Sequence, residues 1–368
     1  MEAEDGERDE LVKKSGIYNM KIAHVVWGMK MGGVETMLVN IINEQVKHDE
    51  VRLFIINDFV NDELLNKIGS ICVIKKLNRR PQSKNLFDMI KLNWWIYCYR
   101  PDIIHLHSFQ VSKLIFGKWN MVRTIHNTRN RPDEYPRMKD LYAISDAVAQ
   151  YTINQGFPNV KTICNGIKAD AFKKKITFKH AEETYRIVQI SRLNIKQKGQ
   201  HILIKALDIL VNKYHVKSFT MHFIGEGSSK DMLQNMVSEA GLTPFVHFEG
   251  LKSQDYLYEH LCDYDLFIQP SLFEGFGLTV AEAIAAKVPV LVSDIEGPME
   301  IIGNGKYGMH FKKGNVEDLA EKLNVVLRGG YDYSLVDKAY MHVCQEYDVS
   351  RTAQRYTQEY KNVLKKNR

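Results

Sequence analysis

The sequence predicts an α/β protein made of two consecutive parallel-sheet units. Three observations predict it: short unbroken apolar runs, amphipathic segments between them, and a polar mid-chain stretch after which the alternation restarts. Strands buried on both faces read as continuous apolar runs, because helices cover both sides of a parallel sheet. A chain of 368 residues suits two domains at roughly 100–200 residues each.

The elements follow in order. Residues 1–19 are polar, charged and aperiodic, and read as a tail outside the fold. IAHVVWG, from Ile22, is a buried strand ending in glycine, and VETMLVNIINEQVK carries apolar residues at helical spacing. VRLFIIN is a strand, Lys84–Tyr99 a helix, and DIIHLHS a strand after the Pro101 breaker. MVRTIHN, LYAISD and VKTICNG complete a first unit over residues 20–165. Residues 166–184 lose the pattern and read as a linker. YRIVQIS restarts it, followed by a helix (GQHILIKALDILVNKY) and the strands SFTMHFIGEG, FVHFEG, DLFIQPS and VPVLVSD, over residues 185–345. In the closing segment 346–368, Ser350–Leu364 has Ala353, Tyr356, Tyr360, Val363 and Leu364 near one helical face. That helix either docks on the second sheet or returns to the first unit.

Composition removes several classes of function. Hydrophobic residues make up 45 % and charged residues 26 %, as in folded globular chains. No stretch approaches the ~20 apolar residues of a membrane helix, and the acidic opening has no apolar core of a secretory signal. Cys72, Cys98, Cys164, Cys262 and Cys344 show no CxxC spacing, so neither a disulfide framework nor a zinc site is indicated. Unpaired thiols fit a reducing cytoplasm. The net charge of +6 is too mild for a nucleic-acid footprint, so no nucleic-acid partner is expected, but it suits an anionic ligand or membrane surface.

Several segments carry chemistry. Gly28–Gly33 (GMKMGG) lies between the first strand and first helix, where glycines permit positive φ and an uncapped helix start attracts an anion. A plain tight turn explains it equally well. It is not GxGxxG, and Asp58 is the remaining candidate for the ribose acid of a nicotinamide enzyme. Arg192 follows the first strand of the second unit and Lys198 precedes its helix. Carboxyl ends of parallel strands are where such sheets bind ligands, and a guanidinium fork with an ammonium suits a diphosphate. A solvated basic loop is the plainer alternative. LFEGFGLTVAEA (residues 272–283) is a glycine-rich turn entering a helix. There the Gly277–Thr279 amides would meet an anion, with Glu274 and Glu282 beside it. A carboxylate next to a diphosphate is useful only if it accepts hydrogen bonds from sugar hydroxyls. Glu282 has a second reading, because Thr279-x-x-Glu282 matches a capping box.

His126 ends a strand of the first unit and would reach a substrate hydroxyl as donor or base; a loop histidine held by backbone is the simpler reading. His105 and His107 alternate like a ligand pair without a visible third ligand. Asp263-Tyr264-Asp265 reads as a helix-to-strand turn rather than a metal site. Lys75, Lys76, Arg79, Arg80, Lys84, Lys91 and Arg100 surround Trp94-Trp95. Cations with interfacial aromatics rest well on an anionic membrane, although core tryptophans with solvated lysines are the preferred explanation.

Taken together, GMKMGG, TIH, SRL…KG, FIGEG, EGFGLTVAEA, PVLVSD and GPMEII resemble glycosyltransferase family four, the group 1 glycosyltransferases, from Met20 to Leu364. The GGxET opening resembles capsule and exopolysaccharide members. The resemblance implies the GT-B fold: two Rossmann-like parallel-sheet domains facing across a cleft, with the C-terminal helix crossing back to the first. It implies a retaining, metal-independent transferase that uses a nucleotide-diphosphate sugar, a UDP-sugar on family frequency. The acceptor would be a glycan or lipid-linked hydroxyl in surface polysaccharide synthesis, and no cofactor would be needed. By the same resemblance Arg192 and Lys198 would hold the diphosphate, and Glu282 the ribose. Glu274 with Phe276, Gly277, Leu278 and Thr279 would hold sugar and phosphates, and His126 would sit near the reacting sugar. Gly32 and Gly33 would approach a phosphate or the acceptor, and Gly250 and Leu251 would lie against the base. Asn127 after the histidine and Ser228 in GEGS depart from the usual pattern. A sugar-nucleotide epimerase, a nicotinamide dehydrogenase and a non-catalytic nucleotide-sugar binder are the competing readings.

Overall fold

The computed structural model describes residues 19–366 apart from residues 31, 81–82, 84, 128–136 and 182. The expected tail, except Asn19, and Lys84 lie outside the described residues. The chain divides into two compact units, residues 1–166 with 349–368, and residues 167–348.

The first unit is a seven-stranded sheet in the order β3-β2-β1-β4-β5-β6-β7. Its strands are β1 Lys21–Val26, β2 Glu50–Asn57, β3 Val73–Arg79, β4 Ile103–Leu106, β5 Met121–Ile125, β6 Asp140–Ala143 and β7 Val160–Thr162. All pairs are parallel. β3, rich in lysine and expected only as part of a basic stretch, is an edge strand. Alternate residues of β1 go to opposite faces. Ile22 packs toward Ile41 and Ile42 of helix Gly33–Gln45, whereas Ala23 and Val25 join Leu92 and Ile96 of helix Leu86–Tyr99. Burial on both faces accounts for the unbroken apolar runs.

The second unit is a six-stranded parallel sheet in the order β10-β9-β8-β11-β12-β13. Its strands are β8 Tyr185–Ile190, β9 Phe219–Ile224, β10 Val246–Gly250, β11 Leu266–Gln269, β12 Val290–Ser293 and β13 Met309–Phe311. Helices Gln200–Asn212, Lys230–Glu239 and Val316–Leu327 contribute Leu203, Leu207, Leu233 and Leu323 to its core.

The unit boundaries differ from the sequence expectation. Residues 167–184, expected as a linker, pack on the second unit. Phe172 is buried edge-on against Tyr258, Phe178 stacks on Tyr333, and Lys175 makes a buried 2.8 Å ion pair with Asp265. The last helix, Val349–Lys365, follows Asp348 and belongs to the first unit, where Tyr356, Tyr360 and Val363 are buried.

Strand order reverses direction between β1 and β4 in the first sheet, and between β8 and β11 in the second. Crossover loops leave to opposite sides at such a point and open a crevice beyond the strands' carboxyl ends. Most of the candidate residues lie at or next to these two points.

Candidate functional site

In the second unit the site is assembled at the β8/β11 switch point. β8 runs into Ser191-Arg192, and the chain then makes one helical turn, Ile195–Lys198, capped by the Asn194 side chain. Gly199 closes that turn at φ +67°, and a Cβ there would lie 1.9 Å from the Pro270 carbonyl oxygen. No residue but glycine fits so near the following loop. The loop after β11 is tied to the same turn, since the Leu272 and Phe273 amides both donate to the Gln197 carbonyl. This brings Lys198 to Glu274. The ammonium donates to Glu274 Oε2, and Gln269 donates to the same oxygen at 3.1 Å. Glu274 is therefore held inside the loop, with a side-chain exposure of 15 %. Arg192 is exposed at the end of β8.

Gly277, at φ +105°, starts helix Leu278–Ala285 and brings no side-chain cap. Its carbonyl accepts from Val280 and Ala281, so the Leu278 and Thr279 amides form the open, positive end of the helix. Phe276 is buried, edge-on to Tyr347. Because the helix begins at Leu278, Thr279 is its second residue and Glu282 its fifth. The capping-box reading of Glu282 fails on that register. Glu282 is instead buried, accepts from Gln254 at 3.0 Å, and has its carboxyl pushed up to about 7 by desolvation. Gln254 opens the helix that follows Gly250-Leu251-Lys252, so Glu282 adjoins the loop expected to meet a base. Gly250 sits at φ +68°, and Leu251 is 63 % exposed. The Asp263–Asp265 segment is a turn, as expected. Asp265 is spent on Lys175 and the Arg186 amide.

In the first unit, Gly32 caps helix Gly33–Gln45 in extended geometry, with no side-chain cap. Neither it, Gly28 nor Gly33 uses the positive φ that a glycine permits. Gly28 is needed for space, since a Cβ would stand 3.0 Å from the Phe59 carbonyl oxygen. His126 directly follows β5. It is the end of a histidine cluster that sequence reading did not assemble. His107 Nδ1 lies 3.4 Å from His126 Nε2, His24 Nδ1 3.1 Å from His107 Nε2, and Gln45 Oε1 2.7 Å from His24 Nε2. His105 stands beside them, bonded to Tyr360 at 2.6 Å and Thr124 at 2.7 Å. Burial pulls His24 and His126 down to about 4, and His105 and His107 well below the ordinary imidazole range. His24 is thus the third histidine that the His105/His107 pair lacked in the sequence. It arrives through the β1–β4 register, which sets His24 opposite His105. Nitrogens of His24, His105 and His107 come within 4.8 Å of one another, and each ring nitrogen has a hydrogen-bond partner.

The geometry is that of two Rossmann-like sheets whose polar groups gather at their switch points, and comparison with known proteins decides the family. The profile described as Glycosyltransferase Family 4 matches residues 31–171, and that described as Glycosyl transferases group 1 matches residues 170–339. The chain belongs to the group 1 glycosyltransferases. A group 1 glycosyltransferase of GT-B fold accounts for both sheets and for the order of the two units. Among its relatives is an uncharacterized glycosyltransferase of Methanocaldococcus jannaschii. It is 29 % identical over 55 % of this chain and 54 % of that protein, so the match spans about half of the relative's length. The N,N'-diacetylbacillosaminyl-diphospho-undecaprenol alpha-1,3-N-acetylgalactosaminyltransferase of Campylobacter jejuni is 27 % identical over 80 % of each chain. Among solved structures, Anabaena HepE in complex with UDP and glucose superposes with a TM-score of 0.76 at 20 % identity, covering 93 % of this chain and 99 % of that one. Among the described residues, no helix is long and apolar enough to cross a membrane.

Proposed function

We propose that this glycosyltransferase moves a hexose or N-acetylhexosamine from a UDP-sugar to a hydroxyl of a glycan or lipid-linked acceptor in surface polysaccharide synthesis. Transfer proceeds with retention and without metal or cofactor. One observation carries the reading: Lys198 donates to Glu274 at the β8/β11 switch point, where Arg192 ends β8 and the open helix end at Leu278–Thr279 follows Glu274 in the same loop. Cleaving a sugar–diphosphate bond builds negative charge on the leaving oxygen. A guanidinium, an ammonium and aligned amides neutralise it without an ion, each fixed donor being worth ~10²–10³ in rate. In this reading the diphosphate takes over Lys198, Glu274 turns its oxygens to sugar hydroxyls, and Glu282 accepts from the ribose while Gly250 and Leu251 flank the base. In the first unit His126 meets a substrate hydroxyl, and the Gly32 and Gly33 amides meet a phosphate or acceptor group. The alpha linkage in the Campylobacter relative's name supports retention, since an α-linked donor gives an α product only by retaining configuration. The UDP in the HepE complex supports the nucleotide, and the undecaprenol of the Campylobacter relative supports a lipid-linked acceptor.

The test is a thermal-shift panel of UDP-, GDP- and ADP-sugars, because a ligand stabilises the folded state by RT ln(1 + [L]/Kd). Transfer is then measured from the stabilising donor in excess chelator. Arg192→Ala and Glu274→Ala should each lower transfer at least ~10²-fold with unchanged circular dichroism. A strict requirement for added magnesium, or normal turnover by the folded Arg192→Ala/Glu274→Ala double variant, would reject this mechanism.

A second reading concerns location, and the exposed face of helix Leu86–Tyr99 favours it. Leu86, Phe87, Ile90, Trp94 and Tyr97 are 57–77 % exposed. At 100° per residue they fall within one quadrant or so of the helix. Exposed Arg80, Lys91 and Arg100 lie near this segment, and Asp88 is the helix's one acid. Of the tryptophans expected in the core, Trp95 packs there and Trp94 does not. We propose that this face rests on an anionic bilayer from the cytoplasmic side, where a lipid-linked acceptor would be found.

A further inference from the structure

His24, His107 and His126 form a hydrogen-bonded row with a polar amide at one end and an unpartnered nitrogen at the other. The unpartnered atom is His126 Nδ1, buried without a hydrogen-bond partner among the described residues; at the opposite end, Gln45 Oε1 meets His24 Nε2 at 2.7 Å. A neutral imidazole carries one N–H and one lone pair. Rings linked nitrogen to nitrogen must therefore all point their protons the same way, and whichever group closes the row decides which way. A carbonyl oxygen at Gln45 requires the proton on His24 Nε2. His24 Nδ1 then accepts from His107 Nε2–H, and His107 Nδ1 accepts from His126 Nε2–H. His126 Nδ1 is left as a bare lone pair. An amide N–H from Gln45 would reverse all three rings and make His126 Nδ1 a donor. The histidines are neutral at physiological pH because burial opposes their charge, so the one-way rule holds.

We propose that Gln45 is a positioning residue which, through His24 and His107, fixes His126 in the Nε2–H tautomer and so presents Nδ1 as a hydrogen-bond acceptor. The consequence for substrate rests on the reading that His126 meets a substrate hydroxyl: the hydroxyl donates a hydrogen bond to His126 Nδ1. Gln45 touches no reacting atom. It acts from the last residue of helix Gly33–Gln45, and each link is a ring whose place is set by the β1–β4 pairing or by the loops leaving β4 and β5.

The test is two-bond proton–nitrogen NMR of the full chain labelled with ¹⁵N-histidine, in which protonated and bare ring nitrogens have distinct shifts. His126→Asn and His107→Asn assign the signals. The wild type should show His24, His107 and His126 all protonated at Nε2. At pH 8, Gln45→Glu, whose ionised carboxylate can only accept, should keep that pattern, and Gln45→Leu should give His126 an averaged mixture of both tautomers. Any of the three rings protonated at Nδ1 in the wild type overturns the proposal, as does an unchanged His126 in folded Gln45→Leu. If Gln45→Leu does not fold, the wild-type and Gln45→Glu spectra still decide. No donor or acceptor is present in this measurement, so its outcome is separate from that of the transfer assay.

Discussion

Glu282 places a carboxyl group in the buried interior, with Gln254 as its hydrogen-bond donor. Desolvation moves it from 4.5 up to about 7. Between those values the folded chain keeps a proton that the unfolded chain has released. The group's favourable contribution is therefore complete below pH 4.5 and is lost as pH rises through 7. The shift corresponds to at most ~3 kcal/mol. Glu282→Gln should match the wild type near pH 4.5 and exceed its stability by up to ~3 kcal/mol at pH 8, measured by urea unfolding at both pH values. An equal difference at the two pH values would mean that the carboxyl is not held protonated by burial. On the proposed reading that Glu282 meets the ribose, the same substitution should weaken UDP binding at pH 8, where the group is ionised, because an amide accepts from a diol less well than a carboxylate. The sequence showed that an acid stood here but not what it faced. Thr279-x-x-Glu282 fits a cap only if the threonine is the N-cap, and Gly277 caps the helix two residues earlier than that pattern allows. His24 and Gln45 were equally hidden. They lie 83 and 62 residues from His107 in the chain, and only the register of a sheet, for His24, and the packing of helix Gly33–Gln45, for Gln45, bring them into one row.

At the scale of elements, most of both sheets was legible because each central strand is apolar on both faces. The elements that were missed or misjudged have mixed environments. β3 is lysine-rich because it lies at an edge, and β13 has three residues, too few to show any period. Helix Leu86–Tyr99 was visible as a helix, but its exposed apolar side was not, since periodicity cannot say which of two apolar faces the core uses. That face gives a prediction. The protein should cosediment with phosphatidylglycerol vesicles and much less with phosphatidylcholine vesicles. Ile90→Glu/Trp94→Glu should cut binding tenfold or more. Both residues are about 60 % exposed, so the melting temperature should move little. Unaltered sedimentation of the folded double variant would assign the face to something other than lipid.

Over the whole molecule, the chain leaves the first unit at Gly166 and comes back at Val349, so the first unit is complete only after the second has been synthesised. The returning helix is not an accessory. Thr352 and Tyr356 bond to the Cys164 carbonyl and Thr124, Tyr360 bonds to His105, and Val349, Ala353 and Val363 are buried. At ~1.5–3 kcal/mol for each large buried side chain, its apolar residues supply on the order of 10 kcal/mol, comparable with the ~5–15 kcal/mol net stability of a whole domain. A chain ending at Asp348 should therefore lose the first unit and keep the second. In hydrogen exchange followed by mass spectrometry, β1–β7 should lose protection while β8–β13 retain it, and UDP should still slow exchange around residues 192–199 and 274–282. Full protection of β1–β7 in the truncated chain would show that the helix is dispensable. Loss of protection in both units would show that the second sheet, with its own core from Tyr185 to Val336, does not stand without the first.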